Sequence, residues 1–468
     1  MTIEYRVPFT ERRHEFKPVR AVDAPAEHVA MLNDLLQLWH EKLPGNRRRY
    51  KYYDGRNELK DFGISTPPEL LNTQVIVGWP KKAVDALAVR SRLDSVSAID
   101  PDTQELVNGI VERSHIKTRY RQTVQSELIY SCCFPVVGIN PFNNQARIDI
   151  YSAERAAARF DEVPGRVVYG MVIHHFTEDG QPFAISLYTD SGRAVFTLIG
   201  EELYSYEFEE STLGRCAMDV FAYKPTDRKP MGQSRITRAV MSLTDSATRV
   251  ALGGDIAYQF SVAPQKYILG ADADQFTQQT KWQAYIGNIL AVSRDGVTGD
   301  APAFGQLTQG SMQQTVDYFR LLAERFSMET NIPVSELGVI HDQPASADAI
   351  RAATEALLID AEDLNDGNRE TLKTVLRMAL AAELGVSVDE LTDAQAAITP
   401  VFRSPAMPSL PAVADAMTKA ASVVPGFAET DVFLEQLGFA DDIVTRIKAE
   451  RAQAEAVSVL RGVLAGAE

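Results

Sequence analysis

The sequence predicts an α+β protein, mainly helical, and three observations predict it. Apolar residues recur at helical spacing from about Pro25 to Ser131 and again from Ile236 onward. Between Phe134 and about Tyr223 the period drops to two, as in strands whose side chains alternate between faces. From Ser346 to Leu384 there is no proline and only Gly367, so one helix of up to about 38 residues, roughly 57 Å long, is allowed.

Taken in order, "PAEHVAMLNDLLQLWHEKL" opens with Pro25, suited to a first helical turn, and carries Val29, Leu32, Leu36, Trp39 and Leu43 on one face. "RRRYKYYDGRNEL" follows as a turn-like aromatic segment, then the amphipathic "KKAVDALAVRSRL" and helices from about Pro101 to Ser131. In the β-rich part, "AISLYTDSGRAVFTLIGEELYSYEF" alternates around an Asp190-Ser191-Gly192 turn and a Gly200 turn, the pattern of a meander. "YKPTDRKPMGQS" is a proline-marked connector. Beyond it Ile236, Val240, Leu243, Ala247, Val250, Gly254 and Ala257 form a four-three seam, and Met312, Val316, Phe319, Ala323 and Phe326 repeat it. Gly253 and Gly254 each cost about 1 kcal/mol relative to alanine in a helix, so a bend or a close neighbouring helix is expected there. Between the two seams lies a small mixed unit with a strand at "NILAVSRDG" and the turn-rich "GVTGDAPAFG".

Pro333, Gly338 and Pro344 then break the helix, and Ser346 with Asp348 starts the long one. Gly385 ends it, and Ser387 with Glu390 matches a capping box that starts another helix. A strand at "ITPVFRS", a turn at "PAMPSLP" and two or three helices complete the chain.

At 468 residues the chain is too long for one ordinary core, so two to four subdomains are expected. Hydrophobic residues at 45% and charged ones at 24%, with no apolar run near the length of a bilayer, describe a soluble globular protein without a membrane partner. The charged start "MTIEYRVPFTERRHEFKPVR" lacks a secretory apolar region, which implies cytoplasmic synthesis. Cys132, Cys133 and Cys216 cannot form a disulfide scaffold or a paired-CxxC zinc site, and reduced, inert thiols are expected. A net charge of -16 disfavours a broad grip on phosphates but not a surface along which nucleic acid slides.

No catalytic constellation emerges. GxxxxGK[ST], HExxH and GxSxG are absent, and "SHIK" (Ser114 to Lys117) has serine-lysine spacing without partner motifs, in a helical segment. His174 and His175 adjoin in a strand and face opposite ways, one core-packed and one exposed, so a structural role is preferred to a metal site. Asp272 and Asp274 lack the rest of a calcium loop. Arg47, Arg48 and Arg49 beside Tyr50, Tyr52 and Tyr53 could bind nucleic acid, but a helix end with cations on its last carbonyls is the better account. Neither a cofactor nor a metal is expected.

A family does emerge from the longer patterns. "GQSRITRAVMSLTDSATRVALGGDIAYQFSVAPQKYILG", "GDAPAFGQL" and "TNIPVSELGVIHDQPASADAIRAATEALL" resemble, in that order, the middle of portal proteins of tailed bacteriophages, particularly those infecting actinobacteria. "RRRYKYYDGRNEL" and "ITPVFRSPAMPSLPAVADAMTKAASVVPG" are similar to segments nearer that family's two ends.

The resemblance implies a ring-shaped head-to-tail connector, usually a dodecamer, at one capsid vertex of the virion. Double-stranded DNA passes through it during packaging and ejection, a terminase large subunit docks first, and head-completion or adaptor proteins follow beside the major capsid protein. It divides the chain into a wing (1–232), a first stem helix (233–260), a clip (261–310) and a second stem helix (311–330). A tunnel loop (331–345), a long wing helix (346–384) and a crown (385–468) complete it. Val339, Ile340, His341, Asp342 and Gln343 would then project into the bore, and Trp282, Tyr285 and Arg294 of the clip would receive terminase or adaptor. Twelve helices at about 10 Å spacing leave an opening of about 28 Å, wide enough for a duplex roughly 20 Å across. An acidic wall would lower sliding friction. Another helical virion or scaffold protein, or an enzyme of the packaging apparatus, are the alternatives.

Overall fold

The computed structural model describes residues 17–58, 75–140, 142–161, 165–262, 266–269, 303–306, 312–338, 347–406, 410–439, 443–451 and 453. The chain divides into a large unit ending at Pro405 and a small one formed by the remaining residues.

A two-residue strand β1 (Arg20–Ala21) precedes helix α1 (Ala26–Tyr53), which buries Leu32, Leu35, Leu36, Trp39 and Leu43 along one stripe. The helix does not stop before the arginines. It continues through Pro44 and Arg47 to Tyr53, so the segment expected as a turn is helical and only Asp54 and Gly55 turn. Tertiary anchors explain the difference. Asn46 Nδ2 donates to the Ala153 carbonyl (3.3 Å), and the Tyr52 and Tyr53 hydroxyls donate to Asp245 (2.8 Å) and Asp85 (3.0 Å). Packing of this kind decides helix length more than local propensity does.

Next come α2 (Trp79–Ala88), strand β2 (Leu93–Ala98), α3 (Pro101–Arg113) and α4 (Ile116–Tyr130). The Asp100 side chain accepts from the Thr103 amide and caps α3, with Pro101 in its first turn. The predicted helical run is broken at Ser114 and His115, where His115 takes a left-handed conformation (φ 51°).

Eight strands follow: β3 (Cys132–Ile139), β4 (Ala146–Ser152), β5 (Ala156–Asp161), β6 (Arg166–Phe176), β7 (Pro182–Tyr188), β8 (Gly192–Leu198), β9 (Leu203–Glu210) and β10 (Phe221–Ala222). β5 to β9 form the predicted antiparallel meander, turning at both expected places, and β1 joins its edge in parallel with β9. β10, β3 and β4 make a separate sheet. The period of two serves two cores. Met171, Ile173, Ile185, Leu187 and Phe196 pack with α1, whereas Val172, Tyr188, Ala156 and Ala158 pack with Phe134 and Val136 of β3.

Helix α5 (Arg238–Val262) leads to strands β11 (Lys266–Leu269) and β12 (Ala303–Gln306), which pair antiparallel, and then to α6 (Gln313–Thr330). The end of the "GVTGDAPAFG" turn is therefore strand, because its partner supplies the ladder bonds. The "NILAVSRDG" strand lies outside the described residues. Helix α7 (Ala347–Leu384) has the predicted length of 38 residues and ends at Gly385 (φ 71°), a conformation that costs glycine little. Its predicted cap, Ser346, lies outside the described residues. Ser387 and Glu390 do form a capping box, but it starts only a 3₁₀ turn; a second box from Thr392 and Gln395 starts the four-residue α8 (Asp393–Ala396). β13 (Ile398–Phe402) returns to pair antiparallel with β2. The small unit contains α9 (Leu410–Val423) and α10 (Asp431–Gln436). Among the described residues no helix is long and apolar enough to cross a membrane.

Candidate functional site: the root of the α5–α6 pair

α5 and α6 lie antiparallel. Thr237 near the start of α5 donates to Glu329 near the end of α6 (2.8 Å), and a Cβ on Gly254 would stand 3.3 Å from Thr315 Cγ2. Gly254 thus marks the close neighbouring helix that the sequence suggested, whereas Gly253 faces open space. The inner stripe of α5 is Val240, Thr244, Ala247, Thr248 and Leu252. This is tilted from the predicted seam: Leu243 and Val250 are only half-buried. Thr244 and Thr248 are tolerated inside because each hydroxyl donates to the carbonyl four residues earlier.

On α6, Leu322, Ala323 and Phe326 are buried, and the Trp79 ring of α2 lies 5.3 Å from Phe319 and 5.1 Å from Phe326. Elsewhere on the pair Tyr258, Val316, Tyr318, Leu321 and Met328 are exposed; Val316 of the predicted seam is among them.

The pair is fixed to the rest of the large unit at one buried cation. Arg235, just before α5, donates from Nε to the Ala83 carbonyl (2.7 Å) and from Nη2 to the Thr330 carbonyl (2.6 Å). Its Nη1 donates to the Tyr223 hydroxyl oxygen (2.7 Å) and to Asp360 of α7 (3.4 Å). Asp360, 6% exposed, also accepts from Lys224 (2.6 Å) and Asn331 (3.0 Å). Burial alone would raise its pKa, but the bonds from Lys224 and Asn331 and the charges of Lys224 and Arg235 hold it below the usual carboxylate value. One guanidinium therefore ties the start of α5 and the end of α6 to α2 and α7.

Two further contacts brace this root. The Ser234 hydroxyl donates to the Ile129 carbonyl (2.6 Å), and the Arg235 amide donates to the Leu128 carbonyl (2.8 Å), at the C-terminal end of α4. Past α6, Glu336 pairs with Lys82 and Arg90, each at 2.9 Å. Burial works against the Glu336 carboxylate, yet these cations bring its pKa below the ordinary value.

Other residues singled out by sequence are placed as follows. Val339, Ile340, His341, Asp342 and Gln343, and Trp282, Tyr285 and Arg294, lie outside the described residues, as do Asp272 and Asp274. All three cysteines are buried and free, and burial pushes Cys132 and Cys216 up to about 12, far from a reactive thiolate. Ser114 accepts from the Ile148 amide (2.9 Å) at the α3–α4 break, not inside a helix, and so has a structural partner. His174 and His175 are both half-buried, unlike the expected pair of one packed and one exposed. A bulge at this point of β6 accounts for it. His174 contacts the Ser186 hydroxyl (2.9 Å), and burial followed by the nearby Arg193 brings its pKa down to about 4. No cluster of metal-ligating side chains occurs among the described residues.

Sequence reasoning missed Arg235 and Asp360. A signal existed: Asp360 sits on the apolar stripe of α7 between Leu357 and Leu364, and a charge on such a stripe needs a buried partner.

No family model matches the chain. It is 23% identical over 435 residues to the portal protein of Mycobacterium phage D29, covering 86% of this chain and 84% of the relative. To the portal protein of Mycobacterium phage L5 it is 24% identical over 420 residues, with the same coverages. A chain in the neck of a native GTA particle, computed with C12 symmetry, aligns over 84% of this chain and 99% of its own at 14% identity and a TM-score of 0.39. A chain in the virion of a native gene transfer agent particle aligns over 77% and 90% at 14% identity and a TM-score of 0.40. On the sequence relationship, which runs through most of both chains, this protein is a homologue of the phage portal proteins.

Proposed function

We propose that identical copies of this chain, about twelve, close into a ring at one vertex of a phage capsid, forming the channel through which double-stranded DNA is packaged and ejected. The observation that carries this reading is the relationship to two portal proteins through 86% of the chain. The exposed Tyr258, Val316, Tyr318 and Leu321 support it, since a helical pair with exposed apolar side chains can bury them against copies of itself. In this reading α5 and α6 are the stem, anchored by Arg235.

The wing is 1–232 with α7, the clip 261–310 and the crown 385–468. Residues 339 to 343 are a soft collar around the DNA, and Trp282, Tyr285 and Arg294 receive the terminase large subunit and then an adaptor. The major capsid protein surrounds the ring. The chain makes and breaks no bonds; ATP hydrolysis belongs to terminase. Assembly takes place in the host cytoplasm before the ring becomes part of the virion.

Native mass measurement with end-on averaged particle images tests the reading. A ring with an opening of about 28 Å is expected. A monodisperse monomer, both free at micromolar concentration and in heads, or nucleotide turnover by this chain alone, would overturn it.

A further inference from the structure

The core between α4 and α7 contains a carboxyl group that the root does not use. Glu127 of α4 is fully buried, 0% exposed. Its Oε2 accepts one bond, from Asn368 Nδ2 of α7 (2.9 Å), and its Oε1 has no hydrogen-bond partner among the described residues. The neighbouring hydroxyls and the Asn368 amide give their hydrogens elsewhere. Asn368 Nδ2 gives its other hydrogen to the Tyr120 hydroxyl oxygen (2.9 Å), and the Ser91 hydroxyl donates to Asn365 Oδ1 (2.6 Å). Tyr120 is left to donate to Ser91 Oγ (3.1 Å), so the hydrogens of Asn368 Nδ2, Ser91 and Tyr120 are all committed elsewhere than Oε1.

The ionisable groups that feel the charge of this carboxyl are Tyr120 from α4 itself and Cys132 and Cys133 from β3, each pushed upward by it. Arg49 of α1 acts on Cys132, and α7 contributes only the neutral amide. A carboxylate with one neutral donor and no cation beside it is strongly disfavoured in such a place.

We propose that Glu127 is a proton-controlled latch: as the neutral acid it holds α4 against α7, and its ionisation loosens that contact and with it the root of the α5–α6 pair. The coupling is short. Leu128 and Ile129, the next two residues, provide the carbonyls to which Ser234 and the Arg235 amide are bonded. The long helix is held at Asn365 and Asn368 by the latch and at Asp360 by the root. The latch stands whether or not the chain assembles as a ring.

The direction with pH follows from burial, which raises the Glu127 pKa from 4.5 to about 8, the Asn368 bond opposing it. Between these values the folded protein keeps a proton that the unfolded chain has lost, so stability falls as pH rises. Below about 4.5 the group costs nothing on this account, and above about 8 its cost no longer grows.

The test compares the full-length protein with Glu127→Gln, by thermal and urea unfolding from pH 5 to 9. The folding equilibrium of the wild type is expected to fall relative to the variant by up to about tenfold per pH unit until about pH 8. A wild-type-to-variant ratio that stays constant across this range overturns the proposal. Should Glu127→Gln not fold, amide exchange of the wild type decides. Amides of α4 and the start of α5 should gain exchange relative to those of β7 and β8 as pH rises; an unchanged ratio overturns the latch.

Discussion

Phe196 in the meander and Arg235 at the root of the helical pair are both closed to water, yet what holds them there differs. Phe196 sits among Met171, Ile185, Leu187 and the apolar face of α1, where each contact is weak, undirected and indifferent to pH. Arg235 is surrounded by two carbonyls, a phenol and a carboxylate, and its position depends on direction and charge. The first arrangement tolerates repacking. The second fails when one partner is lost, because the rest remain buried and unpaired.

Arg235→Ala should cost about 3–5 kcal/mol in urea unfolding by leaving Asp360 without its buried cation. Arg235→Lys should rescue only part, since one ammonium cannot reproduce the three-way fork. Phe196→Ala should also cost about 3–5 kcal/mol, but through cavity formation, and so equally at about pH 7 and in acid below 3.8, where the Arg235→Ala loss changes as Asp360 is protonated. If the two losses have the same pH profile, the distinction drawn here is wrong.

A smaller effect is expected in acid. Because the Asp360 carboxyl is held below 3.8, its contribution is present above that pH and is lost as pH falls through the lower folded value. Amide exchange should then rise at the start of α5 before it rises in β7 and β8. Gly253→Ala should give a smaller effect still, a gain of about 0.5–1 kcal/mol in a helix with open space at that position. Gly254→Ala should gain less, because Thr315 must shift by a few tenths of an ångström. Thermal unfolding of the pair of variants sharpens the account of how closely α5 and α6 approach.

Local chemistry in the sequence was enough for some elements. α7 was readable because proline is absent and Gly385 supplies a left-handed stop, and the meander was readable from its period and its turns. The helical course of Arg47 to Tyr53 was hidden, because it depends on Asp245 and Asp85, far away in the chain. The root was hidden for the same reason. Arg235 draws its partners from residues 83, 223, 330 and 360, and no window of sequence holds them together. The portal resemblance came from long ordered patterns, and the similarity to the two mycobacteriophage proteins extends through most of the chain.

The pairing of β2 with β13 sets a schedule for the nascent chain. Ala98 faces Ile398 across that ladder, so β2 leaves the ribosome about 300 residues ahead of its partner. At about 5–20 residues per second, it waits roughly 15–60 s with its edge uncovered. Over that interval the amino-terminal half is open to mispairing with other copies. Yield on overexpression should therefore improve when translation is slowed less and chaperones are supplied more.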